Sequence, residues 1–311
     1  MSTNENLIHS NNARKSWIWK LNLLLMLLML GYAFVNRGTL LRKAQFYSTG
    51  TVAVDDFKLE LNPKDDYLTW LVLNTGDYEP VETAHLKKTL KPGDTFVDVG
   101  ANIGWYTILA AKLVGPEGKV YAFEPEPENF KFLKRNVELN GLKNVVLEQK
   151  ALSNEVGTLK MYLHEENQGR HSIALVHDEK RFIEVEAFPF DEYVKGKDLQ
   201  IDFMKIDTEG AEGFILDGMK ETLSAQSELK LIMEFSEKRL AETGYEAKEI
   251  FANLTGLGFE AFAIDEFQKI VAPTNSFEDV KKRLVGPDPN DPYVNLYLTR
   301  SSKPESTAEQ D

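Results

Sequence analysis

The chain has 311 residues, more than one average domain and fewer than three. Its composition is 42% hydrophobic and 27% charged, so a globular core of useful size can form. A net charge of −13 with no long Lys/Arg run repels phosphate backbones and excludes nucleic acid as the expected partner, and the lack of cysteine excludes disulfides, zinc-thiolate and iron–sulfur sites, and thiol catalysis.

Residues 1–15 read as a polar tail. The stretch "WIWKLNLLLMLLMLGYAFV", 17–35, carries no charge from Leu23 to Val35. A bilayer-spanning helix needs about 20 apolar residues, and this stretch reaches that with tryptophans and Tyr32 near its ends. Leu and Met on every helical face leave no polar stripe, which speaks against an amphipathic helix. No small-x-small site follows that would mark a removed signal peptide. Residues 16–36 are therefore expected to be a transmembrane anchor, with the membrane as a partner through 17–35. Arg14, Lys15 and Lys20 on one side balance Arg37, Arg42 and Lys43 on the other, so charge leaves the orientation open.

Residues 37–78 read as a connector with pre-domain strands, among them "DDFKLELNP". The span 79–300 is expected to form the main domain and 301–311 a polar tail. "EPVETAHLKKTLKPGD" has helical spacing and ends in a Pro-Gly turn. After it come "TFVDVG" as strand, "WYTILAAKLV" as helix, "KVYAFEP" as strand, and "PENFKFLKRNVELNGL" as a helix with a glycine stop signal. "VVLEQKAL" is a further strand, and "GTLKMYL" and "FIEVEAFPF" alternate like a hairpin set apart from the main pattern. "IDFMKID", "LKLIMEFS", "FEAFAID" and "YVNLYLTR" complete the strands, with helices "GFILDGMKETL" and "EAKEIFANLTGLG" between. Strand–helix alternation with continuous apolar strands predicts an α/β fold, a mostly parallel Rossmann-like sheet with helices on both faces.

In such a sheet, ligands sit beyond the carboxyl ends of the strands at a switch point. The turn "DVGANIG" follows the first strand of the alternation and opens a helix whose free N–H groups face the same place. Gly100 and Gly104 allow close backbone approach. Glu124 ends the next strand, where a carboxylate accepts the two hydroxyls of a ribose. The dinucleotide fingerprint asks for glycine at the first, third and sixth positions, which here hold Gly100, Asn102 and Trp105. Asp98 at the entrance repels a pyrophosphate and suits an ammonium. S-adenosylmethionine, with a diol, an α-amino group and a sulfonium, fits better than NAD. A nicotinamide-dependent oxidoreductase and a non-catalytic scaffold of the same fold stay as alternatives.

"FMKIDTEGAEGFILDG" is a second acidic cluster. Asp207 falls at a strand's carboxyl end, placed to take a proton from an attacking hydroxyl or to orient the acceptor. Glu209 and Glu212 lie near a helix start, where acids also complement the dipole. Glu234 ends the neighbouring strand. Together with Asp207 it offers a place for a divalent metal, which nothing else in the sequence specifies, so none is expected. His171, in "GRHSIAL", is one more candidate base, though a lone surface histidine is the plainer reading.

"DTFVDVGANIGWYTILAA", "VYAFEPEPENFKFLKRNVELNG", "KALSNEVG" and "IDFMKIDTEGAEGFILDGM" resemble the FkbM-type methyltransferases from about residue 79 to about residue 236. The resemblance implies the seven-stranded class I methyltransferase sheet, S-adenosyl-L-methionine as cofactor, and O-methylation as the best-known activity. It implies Asp98, Gly100, Ala101, Asn102, Gly104 and Glu124 for the cofactor motif, Ala151 and Leu152 beside the adenine, and Asp207 and Glu209 for the later signature. The expected protein is thus a membrane-anchored O-methyltransferase of a hydroxyl on a glycan, lipid-linked sugar or secondary metabolite. Its catalytic domain is expected on the cytoplasmic side, where the cofactor is made.

Overall fold

In a computed structural model, residues 36–163, 171–173, 181–266, 268–284 and 291–300 are described. The stretch 17–35, expected as a membrane anchor, lies outside them, as do the tails 1–15 and 301–311. Among the described residues no helix is long and apolar enough to cross a membrane.

The segment expected as a connector with strands holds helices as well: α1 (Arg37–Thr49), the hairpin β1 (Thr51–Val54) and β2 (Phe57–Glu60), and α2 (Asp66–Thr75). Helix α1 buries none of its residues, so its sequence has no core-facing stripe to betray it. Helix α2 is capped by Asp65, whose Oδ1 accepts from Leu68 N at 3.0 Å, and it stops at Gly76 in the left-handed conformation.

The alternation then runs α3 (Pro80–Thr89), β3 (Thr95–Val99), α4 (Trp105–Val114), β4 (Lys119–Phe123), α5 (Pro127–Leu139) and β5 (Val145–Glu148). Strands β6 (Ala151–Leu152), β7 (Gly157–Tyr162) and β8 (Phe182–Phe188) follow, then α6 (Phe190–Val194), β9 (Phe203–Ile206), α7 (Glu212–Asp217) and α8 (Lys220–Ala225). The last elements are β10 (Lys230–Phe235), α9 (Glu237–Glu242), α10 (Ala247–Gly256), β11 (Glu260–Asp265), β12 (Ile270–Thr274), α11 (Phe277–Lys281) and β13 (Val294–Thr299).

Eight strands, not the expected seven, form the main sheet, in the order β12-β11-β13-β10-β9-β3-β4-β5. From β5 to β10 the neighbours pair in parallel, and β13 inserts antiparallel between β10 and β11. The extra strand, β12, is an edge strand containing Pro273, and a proline inside a short run hides a strand from sequence reading. "VVLEQKAL" breaks in two: β5 stays in the main sheet, while β6 turns away to pair with β8, which also forms the expected antiparallel hairpin with β7.

The chain leaves β3 toward β4 on one side and finds β9 on the other, so the switch point lies at the carboxyl ends of β3 and β9. Two apolar layers sandwich these central strands, and β3 and β9 bury almost every side chain. Lys205 is the charged residue within β9 and is only 3% exposed.

Candidate active site

The turn after β3 is built around two buried carboxyls. Asp98 is 1% exposed, and its Oδ2 accepts from Thr107 Oγ1 at 2.5 Å. Burial raises its pKa to about 6, against the pull of that hydrogen bond. Glu124, at the end of β4, accepts from Asn102 N at 2.7 Å on Oε2 and from Glu126 N at 2.9 Å on Oε1. Burial outweighs both N–H groups and lifts its pKa to about 8.

The glycines act through protein neighbours. At Gly100 (φ +82°) an added Cβ would lie 1.9 Å from the carbonyl oxygen of Asp207, so the turn after β3 and the loop after β9 can touch only through a glycine. At Gly104 (φ +96°) an added Cβ would meet Leu133 Cδ1 at 2.6 Å, which lets α4 begin close against α5. Gly104 itself lines no part of the cavity at the switch point; Asp98, Gly100, Ala101, Asn102 and Glu124 do. Ala151 and Leu152 line a smaller adjoining cavity with Phe123, and Met161 borders the two.

Asp207, Glu209 and His171 line the main cavity from the other side. His171 is not a surface residue: it is 7% exposed, and the neighbouring Ser172 anchors the segment by donating to the Glu209 carbonyl at 2.5 Å. Glu209 adopts a left-handed conformation (φ 55°). Glu212 is structural. Its carboxylate accepts from Thr208 N, Thr208 Oγ1 and Gly210 N, and so shapes the loop that carries Asp207 and Glu209.

Two cations organise this acidic side. Lys205 Nζ lies 2.7 Å from Asp207 Oδ2 and 3.3 Å from Glu82 Oε1, and it sits 4.6 Å from the ring centre of Tyr106. Burial alone would lower the Lys205 pKa, but Asp207, Glu82 and Glu79 hold it well above the ordinary range. Asn295 Nδ2 supports Glu82 at 2.5 Å, and Tyr106 donates to Glu79 at 2.7 Å. Burial, and then the charge of Glu82, push the Glu79 carboxyl well above its usual range.

Arg239 is the second cation. Its guanidinium pairs with Glu209, with Glu234 at 2.5 Å, and with Asp291 at 2.9 Å. The register of β9 and β10 sets Glu234 beside Asp207. Asp207, Glu209 and Glu234 approach within 4.8 Å of one another, a spacing that would suit a cation. At that point the positive charge on Glu209 and Glu234 comes from Arg239.

Reading the sequence alone missed Glu79, Glu82, Arg239 and Asp291. Lys205 was passed over as well, although a lysine inside an apolar parallel strand is itself the signal of a buried charge in need of partners. Arg239 and Asp291 meet across a long stretch of chain and leave no local trace.

The fit to a cofactor can be tested on one atom. Asn102 Oδ1 is buried, has no hydrogen-bond partner among the described residues, and belongs to a residue of the cavity wall. A buried acceptor of this kind calls for a donor from a ligand. A glycine turn at the switch point, an acid before it and an acid closing the next strand are the marks of the class I S-adenosylmethionine-dependent methyltransferase fold.

Within that class the chain belongs to the methyltransferase FkbM domain family, whose model matches residues 98–261. It is 28% identical over 151 residues to Methyltransferase 1 of Beauveria bassiana, covering 42% of this chain and 60% of that protein. It is 43% identical over 72 residues to 31-O-demethyl-FK506 methyltransferase FkbM of Streptomyces tacrolimicus, covering 23% of this chain and 27% of that protein. The chain thus spans less than two thirds of the length of these relatives. Among solved structures, an rRNA methylase from Streptococcus thermophilus is similar at 14% identity and a TM-score of 0.42, over 71% of this chain and 95% of that one. S-adenosylmethionine is the cofactor of the family's fold. The oxidoreductase alternative gains nothing from these relatives, and Trp105, at the place of the third dinucleotide glycine, is buried with its Nε1 donating to Thr83.

Proposed function

We propose that this protein transfers a methyl group from S-adenosylmethionine to a hydroxyl oxygen of an uncharged acceptor, a glycan, a lipid-linked sugar or a secondary metabolite. The observation that carries the reading is the placement of Asp207. Its Oδ2 is held by Lys205 at 2.7 Å, its Oδ1 has no partner among the described residues, and its backbone touches the cofactor turn at Gly100. The bound cofactor supplies the methyl as an electrophilic carbon on a sulfonium. Glu124 accepts the ribose hydroxyls, Asn102 Oδ1 takes a donor from the ligand, and Asp98 faces its ammonium. Asp207 accepts the hydroxyl proton as the acceptor oxygen attacks. His171, buried in the same wall, is the second candidate for that proton.

The lack of charge on the acceptor follows from the two cations. Lys205 and Arg239, the basic side chains buried in the acidic side among the described residues, are fully engaged by carboxylates. An acceptor phosphate or carboxylate would meet Asp207 and Glu209 in the cavity wall, with no free basic partner among the described residues. The name of the Streptomyces relative, an O-demethyl compound's methyltransferase, supports transfer to oxygen. We place the catalytic domain on the cytosolic face of a membrane that residues 17–35 enter.

Mass spectrometry of membrane extracts from cells with and without the protein tests the reading. The expected result is an uncharged hydroxylated compound that gains one methyl. A purified full-length protein that binds NAD tightly and ignores S-adenosylmethionine would overturn it.

A further inference from the structure

The first two helices wear large apolar side chains on the outside. On α1, Leu40, Leu41 and Tyr47 are 45%, 59% and 80% exposed, and with Ala44 they recur along one face. On α2, Tyr67 and Trp70 stand one turn apart and are 45% and 60% exposed, while Leu68, Val72 and Leu73 on the opposite face are buried. The helices are fixed to each other. Thr39 Oγ1 donates to the Asn74 carbonyl at 2.8 Å, and Arg42 donates from Nε to the Leu73 carbonyl at 3.2 Å and from Nη2 to the Asn74 carbonyl at 3.0 Å. Two neighbouring helices with so much exposed apolar surface mark a contact site.

Charge and chain direction identify the partner. The protein carries −13 overall, yet α1 contains Arg37, Arg42 and Lys43 and no acid. Arg42 is turned inward to the α2 carbonyls, which leaves Arg37 and Lys43 flanking the apolar face, and such a face on an acidic protein suits anionic lipid headgroups. The uncharged run Leu23–Val35 ends immediately before Asn36, which begins α1. A chain leaving a bilayer there sets α1 at headgroup depth. Tyrosine and tryptophan are the side chains that the membrane interface favours.

The opposite, buried face of α2 borders the active site: its Leu68 lines the main cavity, so one helix separates that cavity from the exposed Tyr67 and Trp70. We infer that the outer faces of α1 and α2 lie on the bilayer surface, so that the cavity beside Leu68 takes its acceptor from the membrane. The origin of the acceptor rests on the hydroxyl-methylation reading, whereas the lipid contact does not.

The chain has no cysteine, so single spin labels can be placed without background. The full-length protein would carry Leu41→Cys, Tyr47→Cys, Trp70→Cys or, as a control, Leu257→Cys, an exposed position following α10. Each is reconstituted in vesicles of phosphatidylcholine and phosphatidylglycerol, and collisions with oxygen and with a water-soluble nickel chelate are compared. At Leu41, Tyr47 and Trp70 the oxygen-to-nickel ratio is expected to exceed that at Leu257 several-fold.

Tyr47 decides between docking and mere tethering, because it lies roughly 15 Å along the helix from Arg37. A ratio at Tyr47 and Trp70 equal to that at Leu257 overturns the inference, even if Leu41 enters the lipid. Labels that are immobilised but remain accessible to nickel indicate a protein partner and overturn it too. Titration of the same proteins with S-adenosylmethionine separates the two readings: lipid depth without cofactor binding refutes the methyltransferase and leaves the surface contact standing.

Discussion

The two sides of the cavity solve the same electrostatic problem by different means. On the cofactor side, Asp98 and Glu124 form no direct ion pair among the described residues; they are held by hydroxyl and backbone N–H groups, and the charge of Lys205 reaches Asp98 only as a lesser influence. Burial wins there, and both carboxyls sit above their ordinary pKa. On the acceptor side, the carboxylates are buried with Lys205 and Arg239, whose charges they share. The first side is short of positive charge until a cationic ligand arrives. The second is already balanced and can spare a carboxylate oxygen for chemistry.

Removing Arg239 should break this contrast most severely. Arg239→Leu takes the guanidinium away from the buried Glu234 and Asp291, and a broken buried pair costs about 3–5 kcal/mol. Chemical denaturation should show that loss, with partial recovery as pH falls and the carboxyls that lost the guanidinium protonate. Arg239→Lys should rescue little, because an ammonium cannot reproduce the guanidinium fork.

Asp207→Asn should act on turnover instead. A lost general base lowers kcat by about a hundredfold or more, while calorimetry should show nearly unchanged cofactor affinity. Activity that survives in Asp207→Asn would pass the proton to His171. Gly100→Ala tests the joint between the two sides. The left-handed backbone alone costs about 1–2 kcal/mol, and the clash with the Asp207 carbonyl should lower kcat together with the thermal midpoint.

Asp98→Ala should weaken cofactor binding by about 1–3 kcal/mol with little effect on folding. Because the Asp98 pKa is about 6, wild-type affinity should fall as pH drops below that value, and Asp98→Asn should flatten the profile. The smallest effect concerns Glu124. Its folded pKa of about 8 lies above the ordinary glutamate value of 4.5, so its contribution to stability is full below the unfolded value and is lost as pH rises toward 8. Hydroxyl donors from the ribose favour the ionised form. Near neutral pH, binding should therefore release up to about one proton, measurable in buffers of different ionisation enthalpy and absent in Glu124→Gln.

How far each side could be read from the chain follows from how local it is. Asp98, Gly100, Asn102 and Glu124 lie in one strand–turn–helix–strand unit, and that unit writes its own signature. The carboxylates of the acceptor side, with Lys205 beside them, stood in "KIDTEGAE" and "IMEFS", but nothing there pointed to the second counter-charge, Arg239. Arg239 and Asp291 stand in stretches to which the sequence pattern assigned no element, and neither stretch shows its distant partner. His171 passed for a surface residue because nothing in "GRHSIAL" tells which way it faces. Strand β12 was hidden by Pro273, and α1 by the absence of any buried face.

By itself the sequence determined the central strand–helix alternation, the place of the cofactor turn and the acids at the ends of successive strands. Apolar periodicity, turn residues and strand ends are properties of short stretches, and they need no partner to be recognised. Only the tertiary structure decided which acids are balanced and which wait for a ligand. It set Lys205 between Asp207 and Glu82, brought Arg239 to Glu234 and Asp291, and left Asn102 Oδ1 without a partner among the described residues. Charge balance in a buried site depends on distances of a few ångströms between residues far apart in the chain, and those distances exist only once the sheet has closed.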